Sequence, residues 1–258
     1  MTDVTYTQRR RVGYLVVPYE VVATEEQRVL MPAEVGLYHQ RVAFEERDTP
    51  ENRATALTEL SRGCDLLRQT RPELIAFACT SGGAFAGAAW HEHLLGRIRA
   101  HLGDIPFTTA ADAVATTLLE NGLERVAAGM PYSEEIIASL CETLEARGVT
   151  LTKVSRLFPD GPAEDPWPLM TTTPAEMARF GERAADPHAQ ALFLSCTGLH
   201  STPILESLER SIGKPVITSN TAIVHYASTR LGLRPRTGFG CLLDALAAQA
   251  ETHPRSSR

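Results

Sequence analysis

A chain of 258 residues that is 43% hydrophobic and 22% charged can bury one large core or two ordinary ones, which excludes a disordered or fibrous protein. Its formal net charge of -6 includes no long block of one sign, which argues against a nucleic-acid partner. No secretory-signal pattern opens the chain, and no window approaches the roughly 20 apolar residues of a membrane span. The expectation is therefore a cytoplasmic protein with reduced thiols and no membrane partner.

Arg9, Arg10 and Arg11 form a short solvated run before the first strand, at 11–17 (RVGYLVV), an apolar β-branched segment stopped by Pro18. Residues 53–70 place Ala56, Leu60, Cys64 and Leu67 at helical spacing. A buried strand follows at 74–79 (LIAFAC), then a helix at 84–102, a short strand at 105–108 and a helix at 110–120 ending at Asn121-Gly122. The same order then returns. Residues 125–130 (RVAAGM) predict a strand stopped by Pro131, and 133–147 a helix that Ser133 and two glutamates suit as a start. A strand at 149–154, a helix at 174–185 opened by Pro174, a strand at 191–196 (ALFLSC), a helix at 202–212, a strand at 216–218 and a helix at 220–231 complete the pattern.

The residues repeat as well as the pattern. RVGYLVVPY (11–19) parallels RVAAGMPY (125–132), LIAFACTSGG (74–83) parallels ALFLSCTGLH (191–200), and 103–123 parallels 213–233. Strands alternating with helices imply parallel sheets covered on both faces. The predicted fold class is α/β: two pseudo-symmetric Rossmann-like lobes, each a roughly four-stranded parallel sheet flanked by helices. The first lobe spans 11–123 and the second 124–243, with a C-terminal helix at 220–243 packing back on the first and an active site between them. Residues 156–173, with Pro159, Pro162, Pro166 and Pro168 and no periodicity, read as a lid or substrate-facing loop. The tail after Gln249 reads as frayed.

Ligands of parallel α/β sheets sit beyond the carboxyl ends of the strands. Cys79 and Cys196 end the two central strands, and each precedes a small hydroxyl residue and a glycine: Cys-Thr-Ser-Gly at 79–82 and Cys-Thr-Gly at 196–198. Such loops free backbone N–H groups for an anion, and Thr80, Ser81 and Thr197 add hydroxyl donors. Pseudo-twofold packing would set both thiols across one cleft, where an enediolate is held between two acid/base groups. Helix N-termini lower cysteine pKa, so accessible thiolates are expected. Tyr132, after Pro131, can donate to a carboxylate in the same cleft.

A single cysteine ending an apolar strand is ordinarily a small buried hydrophobe; the matched pair in a duplication is what points to chemistry. Cys64 and Cys141 lie on apolar helix faces and read as core, and Cys241 as structural. His91 and His93 diverge on their helix, so no metal pair is expected. His200 and His225 can approach the cleft but are more readily hydrogen-bonded or exposed. Neither a GxGxxG nor a Walker loop is present, and no cofactor is expected.

Together, the strand ending at Pro18, CTSGG at 79–83, PY at 131–132, SCTGL at 195–199 and TGFGCLL at 237–243 resemble the maleate isomerase and arylmalonate decarboxylase family of the aspartate/glutamate racemase superfamily, over about residues 11 to 243. The resemblance implies a cofactor-independent isomerase of a small carboxylic acid, with Cys79 and Cys196 as catalytic residues. It also implies that Thr80, Ser81, Tyr132, Thr197, Gly198 and Pro18 contact the substrate, and that a homodimer or higher homo-oligomer forms. A maleate isomerase-like course adds the Cys79 thiolate to an alkene and lets Cys196 move the proton; a racemase of an amino acid or its derivative uses the same pair on two faces. The decarboxylase branch carries a glycine at the first position, which this chain does not. Maleate isomerases carry an asparagine shortly after the first strand's proline, where this chain has Tyr19-Glu20-Val21, and the 156–173 loop offers no clear match for their second one. A racemase, an arylmalonate-type decarboxylase and a catalytically dead small-carboxylate binding protein remain the alternatives.

Overall fold

The computed structural model describes residues 5–158 and 166–252. The first half runs β1 (Arg10–Val16), α1 (Val22–Leu30), β2 (Val35–Arg41), α2 (Pro50–Arg68), β3 (Leu74–Phe77), α3 (Thr80–Ala84), α4 (Gly87–Leu102), β4 (Phe107–Thr109) and α5 (Ala110–Glu120). The second runs β5 (Arg125–Met130), α6 (Glu134–Ala146), β6 (Thr150–Arg156), α7 (Trp167–Met170), α8 (Pro174–Ala184), β7 (Ala191–Leu194), a 3-10 turn at Thr202–Ile204, α9 (Leu205–Ile212), β8 (Val216–Thr218), α10 (Ser219–Leu231) and α11 (Cys241–Thr252). Two four-stranded sheets result, ordered β2-β1-β3-β4 and β6-β5-β7-β8, with every pair of neighbours parallel. The two-lobed α/β architecture read from the repeat is the observed one.

The central strands are the legible ones because helices cover both faces: every residue of β3 (LIAF) and β7 (ALFL) is buried. The edge strand β2 (VGLYHQR) is half-exposed along most of its length and shows neither an apolar run nor an alternation. Helix α1 buries Glu26 and Gln27 beside Ala23 and Leu30, so its inward face carries no hydrophobic period. The sequence pattern leaves both elements unassigned for these reasons. Helix starts follow capping chemistry instead. Thr49, Thr109, Ser133, Thr173 and Thr218 each accept a hydrogen bond from a backbone N–H in the first turn.

Two predicted helices are interrupted. The segment at 84–102 begins earlier, as α3, and breaks before Gly87, whose φ of 81° is a left-handed conformation that a side chain resists. The helix expected at 220–243 ends at Gly232, a left-handed C-cap, and resumes only as α11. In the 156–173 loop, α7 is helical, while Pro159 and Pro162 lie outside the described residues. In the C-terminal tail, helix α11 continues to Thr252, and 253–258 lie outside the described residues.

The helices that follow β4 and β8, α5 and α10, each pack into the other half's core. Ala111, Val114, Ala115 and Leu118 of α5 join the core of the second sheet. Ile223, Val224, Tyr226 and Ala227 of α10 join Val12, Tyr14 and Leu74 in the first. The two helices pack on each other between the sheets. Beside them Glu26, 3% exposed, reaches across the interface. One carboxyl oxygen accepts from the backbone N–H groups of Ser201 (2.8 Å) and Thr202 (2.7 Å), and the other from the Asn220 amide (2.7 Å).

Replacing Glu26 with alanine removes the shared acceptor of these three donors inside a buried interface. The unfolding free energy is expected to fall by about 3 kcal/mol or more. Urea unfolding checks this; a loss below about 1 kcal/mol would mean that water takes over the carboxyl's role.

Candidate active site

The strands β3 and β7 deliver Cys79 and Cys196 from the two halves. Cys79 is the N-cap of α3, and its Sγ accepts from the Gly82 N–H at 3.3 Å. Cys196 holds an unusual backbone, with φ at 110° in a non-glycine residue. Such strain persists only where surrounding contacts impose it. The Cys196 N–H donates to Ser219 Oγ at 3.1 Å, and Gly198 N–H donates to the Cys196 sulfur at 3.3 Å. Both cysteines line a single cavity of about 640 Å³. Tyr19, Glu20, Glu46, Arg47, Ser81 and Tyr132 make its polar wall, and Ile136, Phe158, Leu169 and Met170 its apolar one.

The threonines after the cysteines do something other than the sequence suggests. Thr80 donates its hydroxyl proton to Ser219 Oγ (2.7 Å), and Thr197 reaches the Ala78 carbonyl (3.1 Å) and Glu20 Oε2 (3.3 Å). Each threonine crosses from its own half to the other. Ser81 donates to Glu46 Oε1 at 2.6 Å. All three hydroxyl protons expected to hold a carboxylate are therefore already committed within the protein. The Tyr132 hydroxyl, by contrast, accepts from Ser195 Oγ (3.3 Å) and keeps its own proton for the Cys196 sulfur or a ligand.

The remaining expectations divide. Gly198 is buried behind the wall, where an added Cβ would collide with Met170. Pro18 is exposed, does not line the cavity, and gives its carbonyl to Arg41 at 2.7 Å. His225 is buried between α5 and α10, where it faces Thr117 and Asn121, and His200 lines a separate surface pocket. Cys64 is buried, Cys141 half-buried and Cys241 exposed, with the Cys241 thiol directed at Glu209 (3.2 Å). Among the described residues no group of three His, Cys, Asp or Glu side chains could hold a metal ion, and no helix is long and apolar enough to cross a membrane.

Glu20, Glu46 and Ser219 carry no motif that marks them in the sequence. Glu20 stands in the Tyr19-Glu20-Val21 departure noted above. Its Oε1 accepts from the N–H groups of Val22 (2.7 Å) and Ala23 (2.8 Å). Glu46 hangs from the irregular segment between β2 and α2, and the Cys79 thiol donates toward its Oε1 at 3.5 Å.

These carboxyls correct the expectation of easily formed thiolates. Burial, then the neighbouring Glu46, raise the Cys79 pKa well above that of an ordinary thiol. Burial and Glu20 push Cys196 up to about 12, against which the Gly198 N–H and the Tyr132 hydroxyl pull it down. The helix N-terminus is present, but desolvation and two nearby carboxylates outweigh it. Burial also raises Glu20, Glu26 and Glu46.

The family model described as arylmalonate decarboxylase matches residues 13–242. The arylmalonate decarboxylase of Bordetella bronchiseptica is 27% identical over 199 residues, covering 76% of this chain and 81% of that protein. The maleate isomerase of Nocardia farcinica is 24% identical over 222 residues, covering 83% and 86%. Among solved structures, the maleate isomerase Iso of Pseudomonas putida S16 superposes with a TM-score of 0.81 at 21% identity, over 92% of this chain and 99% of that one. A cysteine-to-serine mutant of the Nocardia farcinica maleate cis-trans isomerase, holding a covalently bound succinylcysteine intermediate, superposes at 0.80 and 24% identity over 91% and 98%.

Two outcomes follow from the charges in the cavity. At neutral pH without ligand, Cys79 and Cys196 are expected to alkylate more slowly than a free cysteine, with rates rising about tenfold per pH unit. The Glu46→Gln variant should speed Cys79 more than Cys196; peptide mass spectrometry after iodoacetamide reads both. A carboxyl whose folded pKa exceeds its unfolded value stabilises the fold most when protonated. The contributions of Glu20, Glu26 and Glu46 are thus complete below about pH 4.5 and are lost as pH rises through their raised values. Glu46→Gln should accordingly lose less stability than the parent as pH rises above about 4.5, measured by denaturant unfolding from acid to neutral pH; an identical pH profile would refute the assignment.

Proposed function

We propose that this chain, which belongs to the arylmalonate decarboxylase family, is a cofactor-independent isomerase of a small carboxylic acid that works by proton transfer between Cys79 and Cys196. The observation that carries this reading is the cavity itself: sulfurs from equivalent strand ends of two duplicated halves line one space. One sulfur, as thiolate, takes the proton from the carbon α to the carboxylate. The C–H electron pair moves into the carboxylate to give an enediolate. The other sulfur, as thiol, returns a proton to the opposite face, so the product carries one new C–H bond and the thiol and thiolate have exchanged places.

The enediolate needs donors, since its charge grows as the C–H bond breaks. The Tyr132 hydroxyl is one side-chain donor in the cavity, and Tyr19 on the same wall is another. A covalent addition to an alkene dianion, the course suggested by the succinylcysteine in the Nocardia farcinica enzyme, fits this cavity less well. Glu20 and Glu46 would face the second carboxylate, and like charges in a desolvated site repel strongly.

Incubation with a panel of small acids in deuterated buffer, followed by proton NMR, tests the reading. The expected result is loss of an α-proton signal with retention of carbon dioxide. Cys79→Ala and Cys196→Ala should each lower turnover by about 100-fold or more while folding is kept. Release of carbon dioxide would replace isomerisation with decarboxylation. Binding without turnover by the parent protein would make the chain a carboxylate binder.

A further inference from the structure

The two acidic side chains of the cavity wall are not equivalent. Glu20 has both oxygens occupied: Oε1 by the N–H groups of Val22 and Ala23, and Oε2 by the Thr197 hydroxyl at 3.3 Å. Glu46 receives both of its hydrogen bonds at Oε1, from Ser81 (2.6 Å) and Cys79 (3.5 Å). No described residue donates to its Oε2, and no described Lys, Arg or His forms an ion pair with it; the adjacent Arg47 faces Glu45 at 3.8 Å instead. Glu46 is half-buried, and a partly desolvated carboxylate with no cation bound to it gains from a positive partner. Glu46 thus presents one unengaged oxygen to the ligand space, within reach of a thiol expected to act on the substrate.

We infer that Glu46 selects substrates bearing an ammonium group on the carbon next to the carboxylate, an α-amino acid or a derivative that keeps its free amine. The inference rests on the two-cysteine proton transfer proposed above. With the amine on Glu46 Oε2, the α-carbon lies beside Cys79, and its proton is the one to be moved. The ammonium supplies a positive charge directly on Glu46, which Arg47 at the cavity rim, exposed and turned to Glu45, does not. It offsets the carboxylate that holds the Cys79 proton in place, so that thiolate forms in the complex rather than in the empty site. It also acidifies the α-C–H bond. A hydrocarbon or carboxylate substituent at the same position gains none of this.

Matched acids separate the possibilities: L-alanine against propionate, L-phenylglycine against phenylacetate, and L-aspartate against succinate. They are titrated calorimetrically into the parent protein and into Glu46→Gln. The amine-bearing member of at least one pair should bind the parent about tenfold or more tightly than its counterpart. In Glu46→Gln that preference should vanish, and KM for the amine-bearing acid should rise more than kcat falls. If the parent binds no amine-bearing acid better than its partner, the inference is overturned, whether or not Glu46→Gln folds. A preference that survives Glu46→Gln overturns it equally. Failure of the proton-transfer reading shows separately, as a retained amine preference with no deuterium entering the α-position.

Discussion

The hydroxyl oxygen of Ser219 accepts two hydrogen bonds, one from the Thr80 side chain and one from the backbone of Cys196. Thr80 follows the cysteine of the first half, and Ser219 opens the helix that the second half lends to the first half's core. The distance between the two cysteine loops is therefore fixed by one buried atom. The strained φ of Cys196 is held at the same place, since its N–H is committed to that oxygen. Thr197 completes the arrangement from the other direction by bonding the Ala78 carbonyl, immediately before Cys79. The small hydroxyl residues beside the cysteines thus serve first as the joint between two halves, and the preorganisation of the sulfurs follows from the joint.

The duplication makes this joint asymmetric. Thr109 and Thr218 are equivalent caps at strand ends, but the next residue is Ala110 in one half and Ser219 in the other. Only the second half has a side chain able to bridge. The cavity's walls diverge in the same way. The first half contributes Glu46 from an irregular segment, and the second contributes Leu169 and Met170 of α7. One side of the ligand space is polar and acidic and the other apolar, so a substrate is oriented by chemistry that the repeat itself does not contain.

Charge is the second governing constraint. Two thiols and two carboxyls share one cavity, whose lining cation among the described residues, Arg47, is exposed and turned to Glu45. Burial raises the pKa of all four groups, and Glu46 and Glu20 raise the nearby thiols further, while the Cys79 hydrogen bond lowers Glu46. The charge of a bound ligand adds to this balance and so to how readily either sulfur ionises.

The sequence by itself determined what depends on local pattern. Strands buried on both faces leave continuous apolar runs, helix caps leave Ser or Thr at fixed offsets, and a duplication leaves matched segments. The two lobes, the central strands and the cysteines at their ends were therefore readable, as was the resemblance to a family of two-lobed enzymes. The half-exposed edge strand β2 and the helix α1, whose buried face carries Glu26 and Gln27, lack such a pattern and were not. Only the tertiary structure decided which hydroxyls remain free. Thr80 and Thr197 look like ligand donors until a partner 139 residues from Thr80 and a carbonyl 119 residues from Thr197 are brought beside them. It alone brought Glu46 to Cys79 across 33 residues of chain. Hydrogen bonds and Coulomb interactions act over a few ångströms of space, and a linear sequence does not record that distance for residues far apart along it.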